Sequence, residues 1–241
     1  LTIMEKNHNV VNLRDDALSH EIALKVFMGK YNEALDLMTN RRFNVWEGGA
    51  RFNVNDYWTD AYMMLGHAGM NKGNFKKAIE YYKLSVDYPS NLQTARGSSS
   101  GRFQEASFWS GVAYDAAGDT KRALKEWNNA VENIPESGNS RSFAVGSGSM
   151  SLFYQALSLE KLGQNERASE IFNRLISSGN RSLQNRDQID FFAKFGQQQS
   201  QRSSLGMTHF VIGLGYLGLD RRADAETEFR KALEICPDHF Y

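Results

Sequence analysis

One cysteine, Cys236, and three prolines are all that 241 residues contain of either type. A lone cysteine forms no internal disulfide, so folding needs no oxidising compartment, and cytoplasm and periplasm are both open. Cys236 falls late in a helical pattern among apolar residues, where a plain core thiol is expected. Scarce proline leaves room for long helices. Net charge is missing too: 28 Lys+Arg balance 28 Asp+Glu, which gives no bulk pull toward nucleic acid or an anionic membrane. No stretch approaches the roughly 18 apolar residues that span a bilayer, and no basic-then-apolar signal segment opens the chain. The first residue is Leu1 rather than Met, so a piece of a longer chain is expected.

What is present is self-similarity. A small residue in mid-helix is followed seven residues later by a Gly-containing turn, then by an Ala, then four residues on by a large apolar side chain. The clearest copy is Gly111, Tyr114, Gly118, Ala123, Trp127, Ala130 and Pro135. The last is Gly213, Tyr216, Ala225, Phe229, Ala232 and Pro237, with Gly218-Leu-Asp220 at the turn. Gly66, Gly73, Ala78 and Tyr82 belong to an earlier copy; Ala156, Gly163, Ala168 and Phe172 to another; Ile22, Gly29, Ala34 and Met38 to a degenerate first one. Small residues at the Gly111 and Ala123 positions let two antiparallel helices approach, glycine ends the first helix, and proline stops the second.

This pattern resembles the tetratricopeptide repeat. The resemblance implies an all-α, right-handed solenoid of about five helical hairpins, with residues 1–241 forming one repeat domain. A plain tetratricopeptide repeat recurs every ~34 residues, whereas the shared alanines here stand at 34, 78, 123, 168 and 225. With hairpins of normal length, the extra residues are expected between hairpins, as long insertions. The first insertion holds Arg41, Phe43, Trp46, Arg51 and Phe52; the second and third are Ser/Gly-rich. The fourth carries Ile189, Phe192 and Phe195 at helical spacing, which predicts a short extra helix near 185–196. The polar run Gln197 to Ser204 is expected to lead into the last repeat.

Three segments sharpen the resemblance: Arg42-Phe-Asn-Val-Trp-Glu-Gly-Gly49, Gln188-Ile-Asp-Phe-Phe-Ala193 and Gly213-Leu-Gly-Tyr-Leu-Gly218. They are similar to the tetratricopeptide-containing C-terminal part of large bacterial proteins, whose N-terminal part is an uncharacterised domain suspected of carbohydrate involvement. No catalytic residue is implied for this part.

Two strings imitate catalytic or cofactor motifs. Gly213-Leu-Gly-Tyr-Leu-Gly218 matches a dinucleotide fingerprint, but lies inside a helix with no preceding strand. Gly97-Ser-Ser-Ser-Gly101 matches a nucleophile elbow, but lies in a Ser/Gly insertion. The five histidines show no zinc spacing, and Asp15-Asp16 reads as a helix start. No catalytic residue, metal or cofactor is expected, and the chain is read as no enzyme.

The resemblance implies that the first helix of each hairpin lines a groove. Its inward positions read Met63, Phe108, Phe153 and Phe210, then His67, Val112, Leu157 and Leu214, then Met70, Asp115, Glu160 and Leu217. Met and Phe stand where a carboxylate-clamping repeat carries Lys and Asn, so that clamp is absent. Three uses of the row remain open: gripping a peptide or protein, serving as core under the chain's own insertions, or stacking sugar rings with Trp46, Arg51 and Trp58. The expected partners are a protein or peptide, or an N-terminal domain of the same parent chain. A weak homodimer through the last repeat is expected as well, because the apolar face of the last hairpin needs a cover.

Overall fold

Five times the chain reverses through the same three backbone contacts, and these turns define the architecture. The computed structural model describes residues 1–44, 54–92, 102–132, 148–184 and 195–237, with side chains of the last stretch from 201 onward. Among the described residues there are helices and turns and no strand. The helices are α1 (Thr2–Lys6), α2 (His8–Val11), α3 (Asp15–Phe27), α4 (Tyr31–Thr39), α5 (Val54–Asn71), α6 (Phe75–Leu84), α7 (Phe103–Ala116), α8 (Thr120–Val131), α9 (Gly148–Lys161), α10 (Asn165–Gln184), α11 (Phe195–Gly218) and α12 (Arg222–Ile235); a 3-10 turn covers Ser90–Leu92. From α3 onward they alternate as first and second helices of hairpins.

Each turn places one residue in the left-handed region: Gly29, Gly73, Gly118, Gly163 and, in the last, Asp220 at φ 55°. The next amide then reaches back five residues to close the first helix, as Lys30 N–H to Lys25 O at 2.8 Å, Asp119 to Tyr114 at 2.9 Å and Arg221 to Tyr216 at 2.9 Å. This is the Schellman closure, which glycine adopts without steric cost. The carbonyl of that same residue starts the second helix by accepting from the shared alanine: Ala34, Ala78, Ala123, Ala168 and Ala225. All five alanines are buried, which is why no larger residue stands there. In the last turn, read from the sequence as Gly218-Leu-Asp220, the positive φ falls on Asp220 rather than on a glycine.

The chain forms two compact units, Leu1–Glu126 and Trp127–Tyr241. In the first, Leu18, Ile22, Ala34, Met38, Trp58 and Ala61 form one core and Met63, Ala78, Tyr82 and Ala113 another. Asn91 donates to the carbonyls of Met38 (2.7 Å) and Arg41 (2.6 Å), binding the 3-10 turn to the end of α4. Asp15, rather than capping α3, holds Arg41 and accepts from Asn44 N–H at 2.8 Å, so the start of the first insertion, with buried Phe43, is part of this core. In the second unit the core is built from Leu152, Phe153, Ala156, Phe172, Leu175, Phe210 and Leu214. Burying each such aromatic or Leu side chain contributes about 1.5–3 kcal/mol.

At the last junction the hairpin helices are not of normal length. α10 runs for 20 residues and α11 for 24, so part of the extra chain lengthens helices instead of looping. The polar run from Gln197 to Ser204 lies within α11, and Arg202 fastens this extension by donating to the Ile235 carbonyl at the end of α12, at 3.0 Å.

Candidate functional site

The four leading groove candidates are buried side chains. Met63 is 2% exposed and Phe108, Phe153 and Phe210 are each 6% exposed. Met63 belongs to the core of the first unit; Phe153 and Phe210 belong to that of the second. The adjoining positions His67, Val112 and Leu157 are half-buried and Leu214 is buried, while Asp115, Glu160 and Leu217 stand exposed. What faces outward on the first helices is therefore the second and third rows without Leu214.

In the first unit this surface centres on His67. Its Nδ1 lies 2.9 Å from the Tyr82 hydroxyl, and its ring meets Trp109 edge-on at 4.6 Å between centroids. Burial pushes the His67 imidazole below its ordinary value, against an opposing pull from Glu105. Trp109 and Phe108 are also edge-to-face, 5.2 Å apart. Trp109 is a contributor that the sequence reading passed over. A readable signal existed: Met64, Trp109 and Tyr154 share one repeat offset, two residues before the small position, and Met64 is exposed while Trp109 and Tyr154 are partly buried.

Beside this cluster, Arg102 at the start of α7 is buried between two carboxylates. Its Nε donates to Glu105 at 2.7 Å and its Nη1 to Asp60 of α5 at 2.5 Å. Burial opposes the charge, but Glu105 and Asp60 hold the guanidinium above its ordinary value. Burial raises Asp60 while Arg102 pulls it back, and burial raises Asp56 one turn earlier. This arrangement fixes α7 against α5. It is an ion-pair network.

In the second unit, α11 explains the fingerprint-like string. A Cβ on Gly213 would fall 2.5 Å from the Phe229 ring, one on Gly215 would fall 2.7 Å from the Phe172 carbonyl oxygen, and one on Gly218 would fall 2.3 Å from the Phe172 ring. All three glycines are small because α10 and α12 press against them. None is at a helix N-terminus, where a phosphate would be cradled. On the next face His209 Nδ1 and Glu228 Oε2 are 2.7 Å apart, joining α11 to α12. Burial raises Glu228, but the bonds from His209 and Lys231 outweigh it and bring the carboxyl below its ordinary value.

Trp46 and Arg51 lie outside the described residues, as do the Gly97–Gly101 string and all of the expected helix near 185–196 except Phe195 and Gly196, which begin α11. Trp58, the third aromatic of the sugar-stacking reading, is core: its indole N–H donates to the Leu84 carbonyl at 2.9 Å. Among the described residues no group of three His, Cys, Asp or Glu could hold a metal ion, and no helix is long and apolar enough to cross a membrane.

Comparison with known proteins agrees with the geometry. One profile described as tetratricopeptide repeat matches residues 59–91 and 208–239, and a second of the same description matches 105–137 and 150–178. Together they cover just over half of the chain, falling on α5/α6, α7/α8, α9/α10 and α11/α12. Among solved structures the chain is similar to BtubC (BKLC) from P. vanneervenii, at 14% identity over 100% of this chain and 87% of that one, TM-score 0.40. It is also similar to MamA, at 18% identity over 88% and 91%, TM-score 0.29, and to a Podosopora anserina kinesin light chain with nearly identical TPR-like repeats, at 14% over 91% and 92%, TM-score 0.36. Likenesses this distant add nothing to the assignment, which rests on the repeat profiles and the hairpins themselves.

Proposed function

The chain is a tetratricopeptide-repeat protein, and from that premise we propose that it is a non-catalytic scaffold holding another protein, or another domain of a longer parent chain, on its first helices. One observation carries the reading. The first-helix positions that pack inward are buried, while the next rows, Leu214 apart, run from half-buried to exposed and are largely apolar: His67, Met70 and Val112 in the first unit, Leu157 and Leu217 in the second. Such a surface suits an apolar helix or an extended peptide. Met63, Phe108, Phe153 and Phe210 act in this reading as the support beneath the contact, and residues 1–241 act as one binding domain.

The test uses the open rows, because charge at a residue such as Phe108 would damage the core. Immobilised chain and a variant carrying Val112→Glu, Leu157→Glu and Leu217→Glu are exposed to lysate of the native source, and captured proteins are identified by mass spectrometry. The expected result is a protein held by the native chain and lost with the variant, whose circular dichroism and thermal midpoint stay close to native. Equal capture by both refutes the reading.

A further inference from the structure

α10 and α12 occupy the same place in successive hairpins, and among the described residues only α10 has a further helix packed on its outer side. Phe172, Ile176 and Gly179 of α10 meet Gly218, Gly215 and Ile212 of α11. The same register on α12 holds Phe229, Leu233 and Cys236, of which Cys236 is buried. Phe172 is fully buried while Phe229 is half-buried, and Leu233 is 53% exposed where Ile176 is half-buried. α12 thus carries a ridge, Ala225–Phe229–Leu233, built like one that packs against a helix.

The neighbouring ridge says which helix fits. At four-residue spacing it reads Arg222, Glu226, Arg230, Glu234, all exposed. The signs alternate: plus, minus, plus, minus. Read from the other end the order is minus, plus, minus, plus. A second α12 laid antiparallel therefore sets every charge opposite its complement, Arg222 against Glu234 and Glu226 against Arg230, twice over. A parallel copy in register would set like against like. Antiparallel helix dipoles favour the same arrangement. In the isolated chain Arg230 pairs with Glu226 of its own helix at 2.6 Å and Arg222 with Asp220 at 2.8 Å; both pairs are largely exposed, so they cost little to share or redirect.

We propose that α12 binds a second copy of this chain, the two helices packing antiparallel about a two-fold axis. Phe229 and Leu233 provide the attraction, and the alternating charges set direction and register. This surface is separate from the first-helix rows, so its failure leaves the reading above standing, and the reverse.

The test is sedimentation velocity and light scattering on the whole chain from about micromolar to several hundred micromolar. A concentration-dependent dimer is expected. Leu233→Arg, at an exposed site, should raise the dissociation constant roughly tenfold or more with an unchanged circular dichroism spectrum. Glu226→Arg and Arg230→Glu should each weaken the dimer, since each sets like charges across the axis, and the double variant should restore it. A chain that stays monomeric throughout overturns the proposal. So does a dimer indifferent to Leu233→Arg, or one that the double reversal fails to restore.

Discussion

Phe172 occupies the space that a side chain on Gly218 would need: a Cβ there would lie 2.3 Å from the ring. The ring is fully buried and also packs 5.9 Å from Phe153, so it has nowhere to retreat. A string that imitates a cofactor motif is thereby accounted for by packing alone. Gly218→Ala should lose roughly 1–3 kcal/mol of stability. Gly215→Ala should lose more, because one of its obstacles is the Phe172 carbonyl at 2.7 Å, which is backbone and cannot rotate aside. Urea midpoints with unchanged slopes check both, and a neutral Gly215→Ala would contradict this packing.

Asp220 is the one described non-glycine residue in the left-handed region, doing what Gly29, Gly73, Gly118 and Gly163 do in the other turns. Its side chain pairs with Arg222, both around 80% exposed. Asp220→Gly should therefore raise stability by about 0.5–1 kcal/mol, by relieving the steric cost of that conformation. Gly163→Ala should lose about 1–2 kcal/mol for the converse reason. Differential scanning calorimetry would show the two midpoints moving in opposite directions.

Removing Arg102 strands two carboxylates in a buried place. Arg102→Met should cost about 3–5 kcal/mol, as broken buried ion pairs do. Adding Asp60→Asn and Glu105→Gln should recover most of the loss, since neutral amides no longer need the cation. If the triple variant is no more stable than the single one, the contribution of Arg102 is packing rather than charge.

His67 gives a pH dependence with a definite sign. Burial places its folded-state value below the ordinary one, so the fold favours neutral imidazole and the unfolded chain binds the proton more readily. Its contribution is complete above the ordinary value near 6.5 and is lost as pH falls through the folded-state value. His67→Gln retains an acceptor for the Tyr82 hydroxyl and does not titrate. The stability difference, native minus variant, should therefore decline from pH 7.5 to pH 5. A difference that is constant over this range would show that His67 keeps its ordinary value in the fold.

The hairpins were legible because their signals are local. A glycine at a turn and an alanine five residues on answer to one backbone reversal, and the five copies reinforce one another. Gly213 was legible as the small residue that lets the second helix of its hairpin approach; Gly215 and Gly218 were legible as helical but not as packing surfaces, because Phe172 and Ile176, which they meet, lie on a helix of the preceding hairpin. The helical extension through Gln197 to Ser204 was missed for a related reason. A polar run has no apolar face to announce it, and Arg202 is tied down by a carbonyl 33 residues away. Among the groove candidates the order of the rows could be read, but not their depth.

By itself the sequence determined the repeat: the positions of small, large and turn residues follow from helix geometry and from which residues tolerate a left-handed turn, and both are short-range constraints. The tertiary structure decided which side chains remain open to a partner. Met63, Phe108, Phe153 and Phe210 are apolar whether they are core or contact, and composition does not distinguish the two. Exposure depends on which neighbouring helix lies over a residue, as α11 lies over Ile176 of α10 and leaves its counterpart on α12, Leu233, in solvent.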